Sequence, residues 1–178
     1  MNKSVDVLVV GAGFAGMLAV HNMRKLGLSV QGVEKGSDVG GTWFWNTYPG
    51  LRCDVESVEY SYSWDEELQQ DWVWSERYSA QPEILSYAQH VADRFDLRKE
   101  FVFNQKVVTT VFDDQKNLWT VTTDSGEQFI ARWVIMATGA LSAPKKVDIA
   151  GASSFKGESY FSTDWPKNPV DFSGKRVA

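Results

Sequence analysis

The 178 residues, 43% of them hydrophobic and 23% charged, are enough to bury one sizeable core and too few for two comfortable ones. A net charge of -5 with no run of Lys or Arg leaves no electrostatic footprint for nucleic acid or an anionic membrane, and favours a small uncharged-polar or apolar substrate. Cys53 is the only cysteine, which excludes an internal disulfide and a cysteine-based metal site, so no metal and a reducing, cytoplasmic setting are expected.

Val5 to Val10 is an almost continuous aliphatic run interrupted only by Asp6, far shorter than the ~20 residues of a membrane span. It reads as a parallel strand covered on both faces. From Phe14 to Leu26 the residues Met17, Leu18, Val20, Met23 and Leu26 recur at helical spacing, and Gly27 stops the helix. Ser29 to Glu34 then reads as a second parallel strand, which completes a βαβ unit with a right-handed crossover.

Gly36 to Ser63 has no periodicity and is rich in Gly, Trp and Tyr. A long irregular segment in a compact domain is either functional or disordered. Its Trp43, Trp45, Tyr48, Tyr60 and Tyr62, with Trp64 beyond, argue against disorder, so it is expected to line a site. Pro82, followed by Ile84, Leu85, Ala88, Val91, Ala92 and Phe95, predicts a second helix. Short strands are expected at Phe101–Phe103, Val107–Phe112, Leu118–Thr123 and Gln128–Ala131, the last three joined by turns at Asp113-Asp114 and Asp124-Ser-Gly126. Trp133 to Ala137 predicts another buried strand, running into Thr138-Gly139. Asp171 to Ala178 reads as a strand just beginning, which suggests a truncated domain.

Gly11-Ala-Gly13-Phe14-Ala15-Gly16 fits G-x-G-x-x-G between a strand and a helix. Gly11 permits the tight turn, Gly13 lets a pyrophosphate approach the backbone, and Gly16 lets helix and strand pack closely, with the helix N-terminus facing the anion. The motif alone is weak. It is strengthened by Glu34, 18 residues after Gly16 at the end of the second strand and followed by Lys35, where a carboxylate accepts from both ribose hydroxyls of an adenosine. A carboxylate there repels a 2′-phosphate, so FAD or NAD is expected and NADP refused. A simple NAD domain continues with further βα units. Here an aromatic loop, a helix and a small antiparallel β-meander intervene, an α/β arrangement that resembles the Rossmann-like FAD-binding domain of the two-dinucleotide-binding, glutathione-reductase-like flavoproteins. Ala137-Thr138-Gly139 is then expected near the FAD.

The most specific stretch is Gly40-Gly41-Thr42-Trp43-Phe44-Trp45-Asn46-Thr47-Tyr48-Pro49-Gly50-Leu51-Arg52-Cys53-Asp54. It resembles the Baeyer–Villiger monooxygenase segment GGTWYWNRYPGARCD. The likeness continues through Glu59–Ser63, Trp72–Tyr78, Gln81–Ile84 and His90–Leu97, and so covers essentially the whole chain. The resemblance implies FAD and NADPH as cofactors, O2 and a small-molecule ketone as substrates, and insertion of one oxygen atom to give an ester or lactone through a C4a-peroxyflavin. It places Phe14 and Glu34 along the adenosine and pyrophosphate, and Thr42, Trp43, Phe44 and Trp45 along the flavin. Asp54, Tyr60 and Val107 complete the FAD site, and Arg52, Cys53 and Asp54 approach the nicotinamide cofactor. Asp54 would also orient an arginine that stabilises the peroxide, and the family's arginine lies beyond Ala178. An Arg52–Asp54 surface ion pair is the plain alternative. His21 and His90 read as structural.

Phe155-Lys-Gly157 to Trp165-Pro166 matches the family fingerprint FxGxxxHxxxWP except that Phe161 stands where histidine is expected. The Trp-Pro ending favours the Baeyer–Villiger branch over N- or S-oxidising flavin monooxygenases, while Phe161 gives the latter slight support. The expected division is 1–144 as the FAD-binding domain and 145–178 as linker and start of an NADPH-binding domain. The chain alone is expected to be inactive, or to be a non-catalytic flavin-binding module. Surface exposed by truncation would favour an oligomer or a swapped dimer.

Overall fold

The computed structural model describes residues 3–141, 143–145, 148–166 and 168–178. One sheet organises them. Strand β1 (Lys3–Val10) leads through helix α1 (Phe14–Lys25) to β2 (Val30–Val33), and the chain then forms α2 (Thr42–Trp45), α3 (Glu66–Asp71) and α4 (Gln81–Arg94). It returns to the sheet as β3 (Phe101–Val102), β4 (Val107–Asp113), β5 (Leu118–Thr123) and β6 (Gln128–Met136). The spatial order is β3-β2-β1-β6-β5-β4. Strands β3, β2, β1 and β6 run parallel, with Val9 opposite Gly32 and Val10 opposite Met136, whereas β4, β5 and β6 form the antiparallel meander. This is the Rossmann-like α/β class expected from the sequence.

The apolar run of β1 has its cause in this central place. Val7 and Val9 pack towards α1 and α4 with Met17, Val20, Ala88 and Val91, while Leu8 points to the other face among Val33, Val121, Phe129 and Ala131. Both faces are dry, so alternation disappears. Helix α4 buries Ile84, Tyr87, Ala88, Val91 and Ala92, one stripe at helical spacing, and Pro82 sits in its first turn where no backbone donor is needed. Gly27, at φ +74, ends α1 as predicted.

Four expectations change. Gln128–Ala131 and Trp133–Ala137 are not two strands but the single strand β6, ending at Met136. Charged Arg132 does not break the ladder, because its side chain lies over the Trp133 ring and towards Asp6 at the surface. Nor is the second half of β6 fully buried, since Trp133 is 48% and Met136 57% exposed. The long loop contains a one-turn helix, α2, and helix α3 follows it. Asp65 caps α3 by accepting from Leu68 N at 2.8 Å, but with Leu68 its only buried residue the segment shows no periodicity to read. Finally, Lys175–Ala178 forms no strand, and Lys175 N closes a turn onto Phe172 O instead. Strand geometry needs a neighbour to pair with.

The segment after Pro144 holds 3-10 turns at Ala152–Ser154 and Ser162–Asp164 and an aromatic group of Tyr160, Trp165 and Phe172. Trp165 and Pro166 face Thr47 and Pro49 of the aromatic loop across a hollow of about 310 Å³. Among the described residues, no helix is long and apolar enough to cross a membrane, and no three His, Cys, Asp or Glu side chains group as metal ligands would.

Candidate functional site: a cavity where three backbone turns meet

The turn after β1 is tight enough to demand its glycines. A Cβ on Gly16 would lie 1.8 Å from Gly11 O, and one on Gly11, at φ +104, would lie 2.5 Å from Ala137 O. Helix α1 begins at once, capped by Gly13 without any side-chain bond and with no acidic residue in its first turn. Its first internal bond runs from Met17 N to Gly13 O, so the amides of Phe14, Ala15 and Gly16 have no acceptor inside the helix. Such an end attracts an anion.

Two further turns close on this one. Gly40 N donates to Ala12 O at 3.0 Å, and a Cβ on Gly41 would come 2.8 Å from Gly13 Cα, so the aromatic loop rests directly on the glycine turn. Ala137 N donates to Val10 O at 2.9 Å and brings Thr138 and Gly139 alongside. The three turns bound a cavity of about 650 Å³, within the range of sites for sizeable organic ligands. Of the residues expected from the sequence, Gly11, Gly13, Phe14, Ala15, Glu34, Lys35, Gly41, Thr42, Trp43, Trp45, Tyr60, Val107, Ala137, Thr138 and Gly139 line it.

Glu34 is 5% exposed, and its carboxylate is already engaged: Oε2 accepts from Ala12 N and Oε1 from Gly36 N, each at 2.7 Å. It therefore ties the end of β2 to the glycine turn. Each oxygen keeps lone-pair capacity for a hydroxyl donor from the cavity. The same end holds the Lys35 ammonium, 4.5 Å from the Trp45 ring centre, and the meander residues Gln105, Lys106 and Val107, with Gln105 N donating to Glu34 O.

At the other end Trp43 is buried, its Nε1 donating to Tyr60 Oη at 2.9 Å and its carbonyl accepting from Gln81 Nε2 at 2.6 Å. Phe14 meets Tyr60 edge-on at 5.3 Å and stacks on Tyr62 at 5.1 Å. Burial pushes the Tyr60 hydroxyl above its ordinary value, as does the negative charge of Asp54, against the opposing effect of the Trp43 N–H. Tyr60 thus stays protonated at neutral pH. Since its oxygen accepts from Trp43, its own hydrogen is left to donate elsewhere.

Five expected residues stand off the cavity wall. Gly16 acts behind it, through the packing just described. Phe44 packs edge-on to Trp45 at 5.1 Å, and both rings lie beside Gly36 and Glu34. Arg52 turns away, bonding Glu76 Oε2 at 2.6 Å and Tyr78 O at 2.9 Å, so its ion partner is Glu76 and not Asp54. Cys53 is buried behind Trp43 with Ile84. Asp54 is exposed, and close enough to Tyr60 for its charge to act there.

Several lining residues were missed: Val10, Val33, Gly40, Asn46, Gln105, Lys106, Met136, Leu141, Ala143 and Pro144. Gly40 belonged to the quoted segment and Lys106 to the neighbourhood of Val107, so adjacency was their only signal. Asn46 is held by a bond from its Nδ2 to Thr42 O at 2.8 Å, which no pattern in the sequence reveals.

Comparison with known proteins agrees with this geometry. Residues 8–177 match the family described as pyridine nucleotide-disulphide oxidoreductase. A Baeyer-Villiger monooxygenase of Pseudooceanicola batsensis is 46% identical over 97% of this chain and 32% of its own length. A phenazine N-monooxygenase of Lysobacter antibioticus is 43% identical over 97% of this chain and 32% of its own. Among solved structures, oxidized steroid monooxygenase bound to NADP superposes with a TM-score of 0.90 at 49% identity, covering 97% of this chain and 33% of that one. The chain spans about a third of the length of the curated relatives it matches. It belongs to the pyridine nucleotide-disulphide oxidoreductase family, and its likeness within that family is to Baeyer–Villiger monooxygenases.

Proposed function

We propose that the cavity holds FAD, and that the complete protein is an FAD- and NADPH-dependent Baeyer–Villiger monooxygenase that inserts one oxygen atom from O2 into a small ketone. One observation carries this reading: the amides at the start of α1 that no helix carbonyl accepts, the buried Glu34 carboxylate and two further glycine turns converge on one cavity. This donor set suits an adenine dinucleotide. The α1 amides meet pyrophosphate oxygens, Glu34 accepts ribose hydroxyls, and the backbone near Val107 lies at the adenine end. Thr42, Trp43 and Tyr60 receive the isoalloxazine, with Tyr60 as a hydrogen-bond donor and Trp43 excluding water. When bound, FAD supplies the redox chemistry with O2, and a dry aromatic wall prevents its loss to water. Cys53 and Asp54 lie at the Trp43–Tyr60 end, where Asp54 would meet the nicotinamide cofactor and support an arginine from elsewhere in the protein.

Titration with FAD followed in the visible spectrum tests the reading. A yellow, stoichiometric complex that leaves phenylacetone and cyclohexanone untouched in the presence of NADPH is the expected result. Folded chain that takes up no FAD overturns it. The division at 144/145 and a reducing, cytoplasmic setting for the single buried thiol of Cys53 are consistent with this role. Exposed Val108, Val111 and Phe112 on edge strand β4 support self-association of the chain.

An N-oxidising activity is the second reading, favoured by the similarity to a phenazine N-monooxygenase and by Phe161 at the fingerprint's histidine position. Products of the complete protein separate the two: an ester or lactone supports the first, an N-oxide the second.

A further inference from the structure

Five of the eight tryptophans lie between residues 43 and 74, and their rings continue the cavity wall into the protein. Trp43 and Trp74 both pack in the group around Ile84 and Cys53. From Trp74 the next rings are Trp72 at 5.8 Å and Tyr87 at 5.0 Å, and Tyr87 lies 5.4 Å from Trp72. A second line leaves the cavity through Tyr60 and Phe14 to Tyr62, which stacks on Trp64 at 4.2 Å, and Trp64 stacks on His21 at 4.5 Å.

Packing alone does not account for the choice of indole at the outer ends. Among the described residues, the Nε1 atoms of Trp64 and Trp72 are buried without a hydrogen-bond partner. Leaving a buried donor unpaired costs about 1–3 kcal/mol, which a phenylalanine would avoid, although its smaller ring would leave part of the space empty. What indole offers over phenyl is an electron-rich ring that gives up one electron far more readily. An indole whose N–H has no acceptor also cannot shed its proton after that loss, so the electron is recovered reversibly. Tyrosine is less suited here, because the Tyr62 hydroxyl donates to the amide carbonyl of Phe14, a poor base.

We propose that these indoles form a one-electron relay, carrying oxidising equivalents from the cavity at Trp43 outwards to Trp72 and Trp64. The inference rests on the FAD reading above. Trp43 passes one electron to a one-electron oxidant in the cavity, the bound isoalloxazine in a photoexcited state, which is reduced by one electron. Trp74 refills Trp43 and Trp72 refills Trp74; on the other line Trp64 refills Trp43 in one longer step, past the intervening rings of Tyr60, Phe14 and Tyr62. The outer radical cation takes one electron from a dissolved thiol or ascorbate, which is oxidised by one electron. No bond forms or breaks, and every indole keeps its Nε1 proton. In a site that handles O2, such a path drains stray oxidation before it damages the cavity wall.

Trp64→Phe and Trp72→Phe, singly and together, remove carriers without removing a hydrogen bond. The chain is loaded with FAD and flashed with blue light, with and without a thiol, and the lifetime of the indole radical absorption is recorded beside FAD content per chain. The unaltered chain should show a long-lived indole radical that the thiol quenches. In the double variant the lifetime should fall severalfold with FAD content unchanged, whereas Trp133→Phe, outside the cluster, should leave it unaltered. Equal lifetimes in the double variant and its parent overturn the relay alone. Failure to load FAD overturns the relay together with the reading beneath it, and the single variants keep the comparison open if the pair does not fold.

Discussion

Glu34 illustrates how much chemistry one side chain carries. Its position after β2 was readable from the sequence as that of a ribose acceptor, but its two bonds to Ala12 N and Gly36 N were not, because they depend on how the turns after β1 and β2 close on one another. The carboxylate is part of the scaffold as well as of the site. Glu34→Gln keeps the shape but sets an NH2 donor against one of these amides. A loss of about 1–3 kcal/mol in denaturant-derived stability is therefore expected even without cofactor, with weaker FAD uptake besides. Unchanged stability would show that the two bonds contribute nothing. Arg52 teaches the converse. A surface pair with Asp54 was the plain alternative to its place near the nicotinamide cofactor, yet the antiparallel bridge between Arg52 and Ala80 aims the guanidinium at Glu76. Pairing across a bridge is invisible to adjacency.

At the level of elements, β1 was legible as an almost unbroken aliphatic run, and α1 and α4 because each carries a helical period and a terminal residue with a physical job: Gly27 at positive φ, Pro82 in a first turn. Elements α2 and α3 were not, since four and six residues hold too few apolar positions to show a period. Their place is set by tertiary ties. One of these is Asp38, which follows β2 and accepts from Arg98 Nε at 2.7 Å, Gln89 Nε2 at 3.1 Å and Val39 N at 2.8 Å, so holding the loop to α4 and the turn beyond it. Burial pushes its carboxyl up, but the Arg98 guanidinium and the two amides outweigh burial and keep it below the ordinary 3.8. A carboxyl depressed in the folded state stabilises above its unfolded value, and that contribution is lost as pH falls through the folded value. Stability measured from neutral pH down past 3.8 should therefore fall, and Asp38→Asn should make the decline shallower by about 1 kcal/mol. An identical decline in the variant would mean that Asp38 is not coupled to folding.

For the molecule as a whole, strand β4 forms an open edge of the six-stranded sheet, with Val108, Val111 and Phe112 exposed along it. Sedimentation at rising concentration should show self-association, weakened by Val111→Lys, because charge on an edge strand opposes pairing. A monomer at every concentration would refute it. The sequence by itself determined the parallel βαβ start, the glycine turn with its acidic partner and the family likeness, since these reside in residues close together along the chain and in conformations that few residue types allow. Only the tertiary structure decided that β6 is one strand joining the parallel sheet to the meander, that the Phe44 and Trp45 rings lie beside Glu34, and that Arg52 faces away from the cavity. Those outcomes depend on contacts between segments far apart in sequence, where many partners are compatible with local pattern and only the packed arrangement selects one.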